Sequence, residues 1–342
     1  MDTLEGPVMV IAGPGTGKTQ ILAMRVANIL QKTQAKPRHI LALTFTESAT
    51  ANLKKRLISI IGQTGYFVDT FTFHGFCNEI ILTFSGKFAF ARELEQLTDV
   101  EKYQILESII DRLPLKTLTA FGDKYHYLND IAKTIVNLKR ENISLNKYTE
   151  VIQNEEQKLE KLEKINPRTN KPTGKWLEQE KLIKKNLEMR QVYEAYQIEL
   201  KQRGRYDYED MLLSVIEKLQ TDEELLAIYQ EKYLYVLVDE YQDTNSAQNK
   251  LVEILTSYWE EPNLFVVGDD DQSIFRFQGA SLENLLYFEH KYPRLKKIVL
   301  TENYRSVQPI LDAASSVISH NQTRLVNTMP GLDKTLLSQV KL

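Results

Sequence analysis

Short apolar runs rich in β-branched residues recur along the chain and predict the strands of a sheet. Most are followed by apolar residues at helical spacing. This alternation of strand and helix is typical of an α/β fold with parallel strands. The six runs occupy residues 8–11, 39–46, 67–73, 233–238, 264–267 and 297–300.

The pattern changes between residues 92 and 230, where strand signals become rare. Apolar residues at i, i+3 and i+4 in residues 100–113 and 127–142 predict amphipathic helices. Residues 155–164 and 178–185 are dense in Glu and Lys. We interpret them as solvated helix faces, with a lysine-lined nucleic-acid track as the alternative. Two prolines and a glycine in residues 165–174 predict a loop. A helical insertion into an α/β domain is therefore expected.

Length and composition narrow the classes of protein. The chain has 342 residues, 42% hydrophobic and 26% charged, which is typical of a globular protein of two or three domains. Its net charge of −3 leaves no basic footprint, so a nucleic-acid partner would be held by local features. Cys77 has no second cysteine to pair with, which fits a reducing, cytoplasmic location. No apolar stretch is long enough to predict a membrane partner.

The residues after the first run, AGPGTGKT (12–19), predict a phosphate-binding loop that enters a helix over residues 19–30. Glycines at alternate positions let backbone N–H groups point at one anion; they are Gly13, Gly15 and Gly17. Lys18 supplies a charge for the β- and γ-phosphates of a nucleotide, and the Thr19 hydroxyl can ligate Mg²⁺. Ala12 departs from the strict pattern, which has glycine there. The alternative is an ordinary βα turn.

Acidic residues end two later strands. Asp239 and Glu240 follow the apolar run YLYVLV, and acids at the carboxyl end of a parallel strand face the crevice where such sheets bind ligands. Asp239 can hold Mg²⁺, and Glu240 can deprotonate an attacking water. Acids also end strands in plain turns. The presence of the phosphate loop favours the catalytic interpretation.

The second acidic strand end is NLFVVGDDDQSIFRFQGA, in which Gln272 follows three aspartates. A neutral amide there can bond a γ-phosphate or an attacking water. Phe275 and Phe277 alternate about Arg276, so both can face one side as stacking platforms for bases. The alternative is that both phenylalanines fill a core.

These motifs, in this order, resemble those of superfamily 1 DNA helicases of the UvrD/Rep/PcrA type. AGPGTGKT resembles motif I, LALTFTESATANLKKRL motif Ia and DTFTFHGFC motif Ib. RYDYEDML resembles the stretch before motif II. VDEYQDTNSAQ, VVGDDDQSIFRFQGA and LTENYRS resemble motifs II, III and IV. The resemblance implies a RecA-like P-loop NTPase sheet (subdomain 1A, residues 1–90 and 203–300) and a mostly helical insertion (subdomain 1B, residues 91–202). Residues 301–342 would begin domain 2A, a second RecA-like domain.

The resemblance also implies roles for the matching positions. Glu240 would be the catalytic base, Gln272 the γ-phosphate sensor and Arg305 a second γ-phosphate contact. Tyr304 would stack on adenine. The Mg²⁺ ligands would be Thr19 and Asp239. The residues around ATP would be Ala12, Gly13, Pro14, Gly15, Thr16, Gly17, Lys18, Thr19, Gln20, Gln272, Tyr304 and Arg305. Single-stranded DNA would be contacted by Phe45, Thr46, His74, Phe275 and Phe277.

The sequence departs from the family pattern in several places. Gln20 and Gln278 replace arginines common in relatives, and Phe277 replaces a tryptophan. Glu47 and Ser48 replace an Asn and a Lys in motif Ia. The adenine-reading glutamine segment upstream of motif I, and motifs V and VI downstream of motif IV, have no counterpart in the 342 residues. We therefore expect the first half of a helicase.

The expected function is ATP-coupled 3′→5′ translocation on single-stranded DNA and unwinding at duplex junctions, with the C-terminal half as the partner of this chain. The chain alone is expected to bind nucleotide and turn it over weakly. Three alternatives remain. They are the front half of a helicase–nuclease subunit, a P-loop switch module without unwinding activity, and a purely structural remnant.

Overall fold

The computed structural model describes residues 3–88, 95–273, 282–322, 324–329 and 331–340. It divides into two compact units. The first combines Met1–Thr83 with Ser214–Leu342, and the second is Phe84–Leu213. No helix within the described ranges combines the length and the apolar character needed to cross a membrane.

A six-stranded sheet, parallel throughout, forms the centre of the first unit. Its order is β3-β2-β6-β7-β1-β8. The strands are β1 (Val8–Ala12), β2 (Ile40–Thr44), β3 (Asp69–Thr72), β6 (Tyr235–Val238), β7 (Leu264–Gly268) and β8 (Lys296–Leu300). The six predicted strands and the α/β class are confirmed, as a RecA-like architecture requires.

Helices follow the strands because apolar strand positions need cover on both faces. They are α1 (Lys18–Lys32), α2 (Glu47–Ile61), α3 (Phe73–Thr83), α8 (Tyr208–Thr221), α9 (Glu223–Lys232), α10 (Ser246–Leu255) and α11 (Leu282–Lys291). The first residues of α8, up to Leu213, belong to the second unit. One buried cluster joins Val8 and Val10 of β1 to Leu22 and Val26 of α1 and Leu53 of α2. The third strand is shorter than predicted, because residues 62–67 form a 3-10 helix and Phe73 begins α3.

The register brings the carboxyl ends of β1, β6 and β7 together. Ile11 pairs with Gly268, and Val238 pairs with Val266. Whatever follows these three strands therefore shares one edge of the sheet, the edge where ligands of such sheets bind.

The second unit is helical, as predicted for the middle of the chain. It contains α4 (Asp99–Arg112), α5 (Leu128–Arg140), α6 (Leu145–Glu160) and α7 (Gly174–Gln202), with a short parallel pair β4 (Glu95–Gln96) and β5 (Arg205–Tyr206). The predicted loop is confirmed, and Thr173 caps α7 through its side chain. Ion pairs such as Lys158–Glu155 agree with solvated helix faces. The boundaries 91–202 and the name 1B stay predictions.

RYDYEDML has a structural role within this unit. The Lys139 side chain is fully buried, and its amino group contacts Asp207 and, at 2.7 Å, Asp210 Oδ1. Such a buried cation is tolerated because carboxylates neutralise it. The motif therefore ties α5 to the start of α8.

Residues 301–340 belong to the first compact unit. They contain β9 (Glu302–Asn303), α12 (Gln308–Ile318), α13 (Leu325–Thr328) and β10 (Leu337–Ser338), and β9 pairs with β10 in parallel. Their assignment to a separate domain 2A stays a prediction.

Candidate nucleotide site

The loop between β1 and α1 has the backbone that the glycine spacing predicts. Gly15 has φ +73°, and Gly17, the N-cap of α1, has φ +91°. A Cβ at Gly15 would lie 2.7 Å from Arg305 Cβ and from Asn303 Nδ2, so glycine is required there for space as well as for conformation. The Thr16 hydroxyl donates to the Gly13 carbonyl at 2.7 Å and closes the loop. A loop of this kind at the N-terminus of a helix is the arrangement that binds anions.

Lys18 and Thr19, at the start of α1, meet the acids at the end of β6. Lys18 Nζ lies 3.1 Å from Glu240 Oε2, and the Thr19 hydroxyl donates to Asp239 Oδ2 at 3.3 Å. Glu240 has φ +48°, a left-handed conformation rare for a side chain of this kind. The strained turn directs its carboxylate at the phosphate loop.

Three carboxylates, Asp239, Glu240 and Asp243, form a group that we call the β6 acids. Burial, and then the charge of Glu240, raises the pKa of Asp239 to about 6. The same two causes raise the pKa of Asp243 to about 6. Among the described residues, Asp243 Oδ1 is buried and accepts no hydrogen bond. The group therefore carries more negative charge than its protein neighbours neutralise.

The excess negative charge of the β6 acids suits a hard divalent cation. Carboxylate and hydroxyl oxygens are the ligands that Mg²⁺ prefers, and Mg²⁺ binds through one or two carboxylates plus substrate phosphates. Asp239 Oδ2 and Thr19 Oγ1 already lie within 3.3 Å of each other beside the phosphate loop. The donor set at the end of β6 fits the predicted metal.

A second group of three carboxylates follows β7, and we call Asp269, Asp270 and Asp271 the β7 acids. Their oxygens lie within 4.8 Å of one another, a spacing that could suit a metal. Protein cations neutralise them instead. Lys334 Nζ is 2.9 Å from Asp269 Oδ1 and from Asp271 Oδ2 and also contacts Asp270. Arg324 donates two hydrogen bonds to Asp271, at 2.7 and 2.8 Å. These contacts lower the pKa of Asp271, although its burial opposes the shift.

Gln242 links the two groups. Its amide nitrogen donates to Glu240 Oε2 at 2.9 Å, and its carbonyl oxygen accepts the Asp269 N–H at 2.9 Å. A Cβ at Gly268 would lie 2.8 Å from the same carbonyl oxygen, which explains the glycine that ends β7. Gln272 then turns back, and its amide donates to Asp269 Oδ2 at 2.5 Å.

A cavity of about 330 Å³ collects most of the predicted nucleotide residues. Its lining includes Pro14, Gly15, Gly17, Lys18, Thr19, Gln20, Glu240, Gln272, Tyr304 and Arg305. Ala12, Gly13 and Thr16 are buried and do not line this cavity. Tyr304 is 63% exposed.

Sequence reasoning missed Arg56 in the same lining. Arg56 Nη1 donates to Gln20 Oε1 at 2.7 Å, so a guanidinium from α2 lies beside the phosphate loop. Lys334, Arg324 and Gln242 were missed too. The charge of Lys334 and Arg324 does not distinguish them from surface residues, whereas Gln242 lies within the motif II stretch and could have been found there.

The predicted DNA residues are only partly within the described ranges. Phe45 is half-buried after β2, and exposed Thr46 caps α2 by accepting the Ala49 N–H at 3.1 Å. His74 is half-buried in the first turn of α3, after the neighbouring strand β3. Phe275 and Phe277 lie outside the described residues. Phe45, Thr46 and His74 thus follow two adjacent strands at the carboxyl edge of the sheet.

Comparisons with known proteins agree with the motif order. A family model described as the UvrD/REP helicase N-terminal domain matches residues 1–293. The chain is similar to the ATP-dependent DNA helicase PcrA of Staphylococcus epidermidis, with 32% identity over 94% of this chain and 39% of that protein. PcrA of Leuconostoc citreum is 31% identical over 95% of this chain and 39% of its own length. The chain therefore spans about two fifths of the relatives that it matches.

Proposed function

Because this chain belongs to the UvrD/REP helicase family, we propose that it is the ATP-binding portion of a cytoplasmic, ATP-dependent DNA helicase. The whole protein would move 3′→5′ along single-stranded DNA and separate duplexes at junctions. The observation that carries the proposal is the meeting of Lys18 and Thr19 with Glu240 and Asp239, at 3.1 and 3.3 Å, beside a phosphate loop.

The proposed chemistry is phosphoryl transfer from ATP to water, in which positioning and charge stabilisation dominate. The loop N–H groups and Lys18 would bind the phosphates. Thr19 and Asp239 would hold Mg²⁺, which neutralises charge on the phosphate oxygens when bound. Lys18 now pairs with Glu240. When phosphates take Lys18, the Glu240 carboxylate becomes available to accept a proton from the attacking water.

Four further residues would act around the γ-phosphate and the adenine base. Gln272 and Arg305 line the cavity near Lys18 and would contact the γ-phosphate or the water. Tyr304 would supply the stacking surface for adenine. Arg56, at the same wall, would add a cation beside Gln20.

The test is calorimetric titration of an ATP analogue with Mg²⁺ into the chain and into Lys18→Ala. We expect the variant to lose measurable binding, because it removes the cation that faces the phosphates. Lys32→Ala, which changes a lysine at the far end of α1, is the matched control and should bind normally. Equal binding by wild type and Lys18→Ala would overturn the phosphate-loop assignment.

Residues 1–342 alone should hydrolyse ATP slowly. An arginine supplied across a nucleotide cleft is worth about 10³–10⁵ in rate, and these residues contain no match to motif VI. Arg305 would supply part of that stabilisation. Robust DNA-stimulated hydrolysis by the 342 residues would contradict this part of the proposal.

Single-stranded DNA should bind through base stacking more than through charge. Base–aromatic stacking is worth about 1–3 kcal/mol per base, and the net charge of −3 predicts a shallow salt dependence. We expect Phe277→Ala to weaken oligonucleotide binding in fluorescence anisotropy by about tenfold with little change in Tm. Phe121→Ala, at an exposed phenylalanine of the helical unit, is the control. Normal binding with a lowered Tm would instead make Phe277 a core residue.

The alternatives make different predictions. A switch module would bind ATP without DNA-stimulated hydrolysis in a polypeptide carrying both halves of the helicase core. A helicase–nuclease subunit would add metal-dependent DNA cleavage. A structural remnant would not bind the ATP analogue.

A further inference from the structure

Lys334 reaches the β7 acids from a segment without helix or strand between α13 and β10. Its side chain is 6% exposed, and its amino group contacts all three carboxylates. A buried ammonium pays a large desolvation cost, and only close carboxylates offset that cost. Lys334 is therefore a fixed part of the cluster that it forms with the β7 acids.

The contact with Asp269 has a consequence for Gln272. Asp269 Oδ1 accepts from Lys334 at 2.9 Å and from the Asp271 N–H at 3.2 Å. The other oxygen of the same carboxylate, Oδ2, accepts from the Gln272 amide at 2.5 Å. Lys334 and the Asp271 N–H together hold Oδ1, with Lys334 as the shorter and charged contact, and the resulting orientation of the carboxylate sets which way the Gln272 amide points.

Arg324 provides an internal comparison. It donates to Asp271 through Nε and Nη2, and among the described contacts it does not reach Asp269. Both cations neutralise the β7 acids, but Lys334 alone of the two is bonded to the carboxylate that holds Gln272. Removing either one changes the charge of the group similarly, whereas removing Lys334 also leaves Asp269 Oδ1 with the Asp271 N–H as its remaining described donor.

We propose that Lys334 is a positioning residue for Gln272. It holds Asp269 so that the Gln272 amide faces the γ-phosphate position near Lys18. The inference rests on the proposed function, because only a bound nucleoside triphosphate supplies the γ-phosphate that Gln272 would contact. Lys334 itself does not line the cavity that would hold the nucleotide.

The readout is γ-phosphate discrimination, the ratio of dissociation constants for ADP and for ATPγS, measured by displacement of a fluorescent ADP from the chain. We expect Lys334→Met to lower this ratio about tenfold, the loss expected for one charge-assisted hydrogen bond. Gln272→Ala should lower it equally, and the double variant should fall no further because both changes break one chain of contacts. Arg324→Met should keep the ratio within about twofold.

Asp269→Asn is a second route to the same test if Lys334→Met fails to fold by circular dichroism; it should lower the ratio as Gln272→Ala does. An unchanged ratio in Lys334→Met, or in Asp269→Asn when that variant replaces it, overturns the inference. So does an equal loss in Arg324→Met, or independent losses that multiply in the double variant. If wild type binds ADP and ATPγS equally while Lys18→Ala abolishes both, the inference fails and the nucleotide site stands. If Lys18→Ala binds normally, the proposed function fails and the inference with it.

Discussion

The β6 acids and the β7 acids lie at the ends of neighbouring strands, and each group has three carboxylates. The β7 acids are met by two protein cations, Lys334 and Arg324. The β6 acids are met by Lys18, through Glu240. The difference shows which group of carboxylates is neutralised by the protein itself. Protein contacts complete the β7 acids, whereas the β6 acids retain negative charge that a ligand can neutralise.

The pKa values express the same difference. Burial raises a carboxyl pKa, and nearby cations or hydrogen bonds lower it. Burial and Glu240 prevail at Asp239 and Asp243, whose pKa rises to about 6. At Asp271, hydrogen bonds from Arg324 and Lys334 and the charge of Lys334 outweigh burial, and its pKa falls. Position at a strand end alone does not make an acid a metal ligand.

The largest effect on ATP hydrolysis should come from Glu240, the proposed general base among the β6 acids. In a polypeptide carrying both halves of the helicase core, Glu240→Gln should slow ATP hydrolysis by about 10²–10⁴, the usual contribution of a general base. Binding of the ATP analogue should persist, because Lys18 and Asp239 remain. Single-turnover hydrolysis measures the rate, with Glu209→Gln in the helical unit as a control. An unchanged rate would remove Glu240 from the mechanism.

The same substitution should change stability in opposite directions in the two groups. The pKa of Asp243 is raised in the folded protein, so the protonated carboxyl group favours folding. That stabilisation is lost as pH rises between about 4 and 6, and Asp243→Asn avoids the loss because asparagine does not ionise. The pKa of Asp271 is lowered in the folded protein, so the ionised carboxylate stabilises the fold at a pH above its ordinary pKa. This stabilisation is lost as pH falls, and Asp271→Asn removes it at every pH.

At pH 7, without nucleotide or Mg²⁺, Asp271→Asn should therefore lower the free energy of unfolding by about 1–3 kcal/mol. Asp243→Asn should leave it unchanged or raise it by up to about 1 kcal/mol. Urea unfolding of both variants at pH 5 and pH 7 checks the signs. Equal destabilisation by both substitutions would remove the distinction between the groups.

Much of this architecture is readable from the sequence because its signals are local. The six buried strands are continuous apolar runs, and the phosphate loop has a fixed spacing of glycines before Lys18. The left-handed turns at Gly15 and Gly17 follow from residue type. Asp239 and Glu240 lie close to Lys18 and Thr19 because parallel strands end at one edge of a sheet, and that edge is predictable from the strand pattern.

The remaining features depend on contacts distant in the chain. Lys334 lies 65 residues from Asp269, and Arg56 lies 36 residues from Gln20. Arg56 lies within the motif Ia stretch, but its residue type alone does not separate it, or Lys334, from solvated charges. The strained backbone of Glu240 was equally hidden, since a glutamate gives no sign of positive φ. That protein cations neutralise the β7 acids is known only from these contacts.

The most direct test of the account is the Mg²⁺ dependence of nucleotide binding in Asp239→Asn and Asp271→Asn. For each protein, the dissociation constant of the ATP analogue is measured by calorimetry with Mg²⁺ and with chelator. We predict that Mg²⁺ tightens binding in wild type and in Asp271→Asn, and that Asp239→Asn loses most of this effect. Loss of the Mg²⁺ effect in Asp271→Asn, with its retention in Asp239→Asn, would contradict the assignment of the metal to the β6 acids.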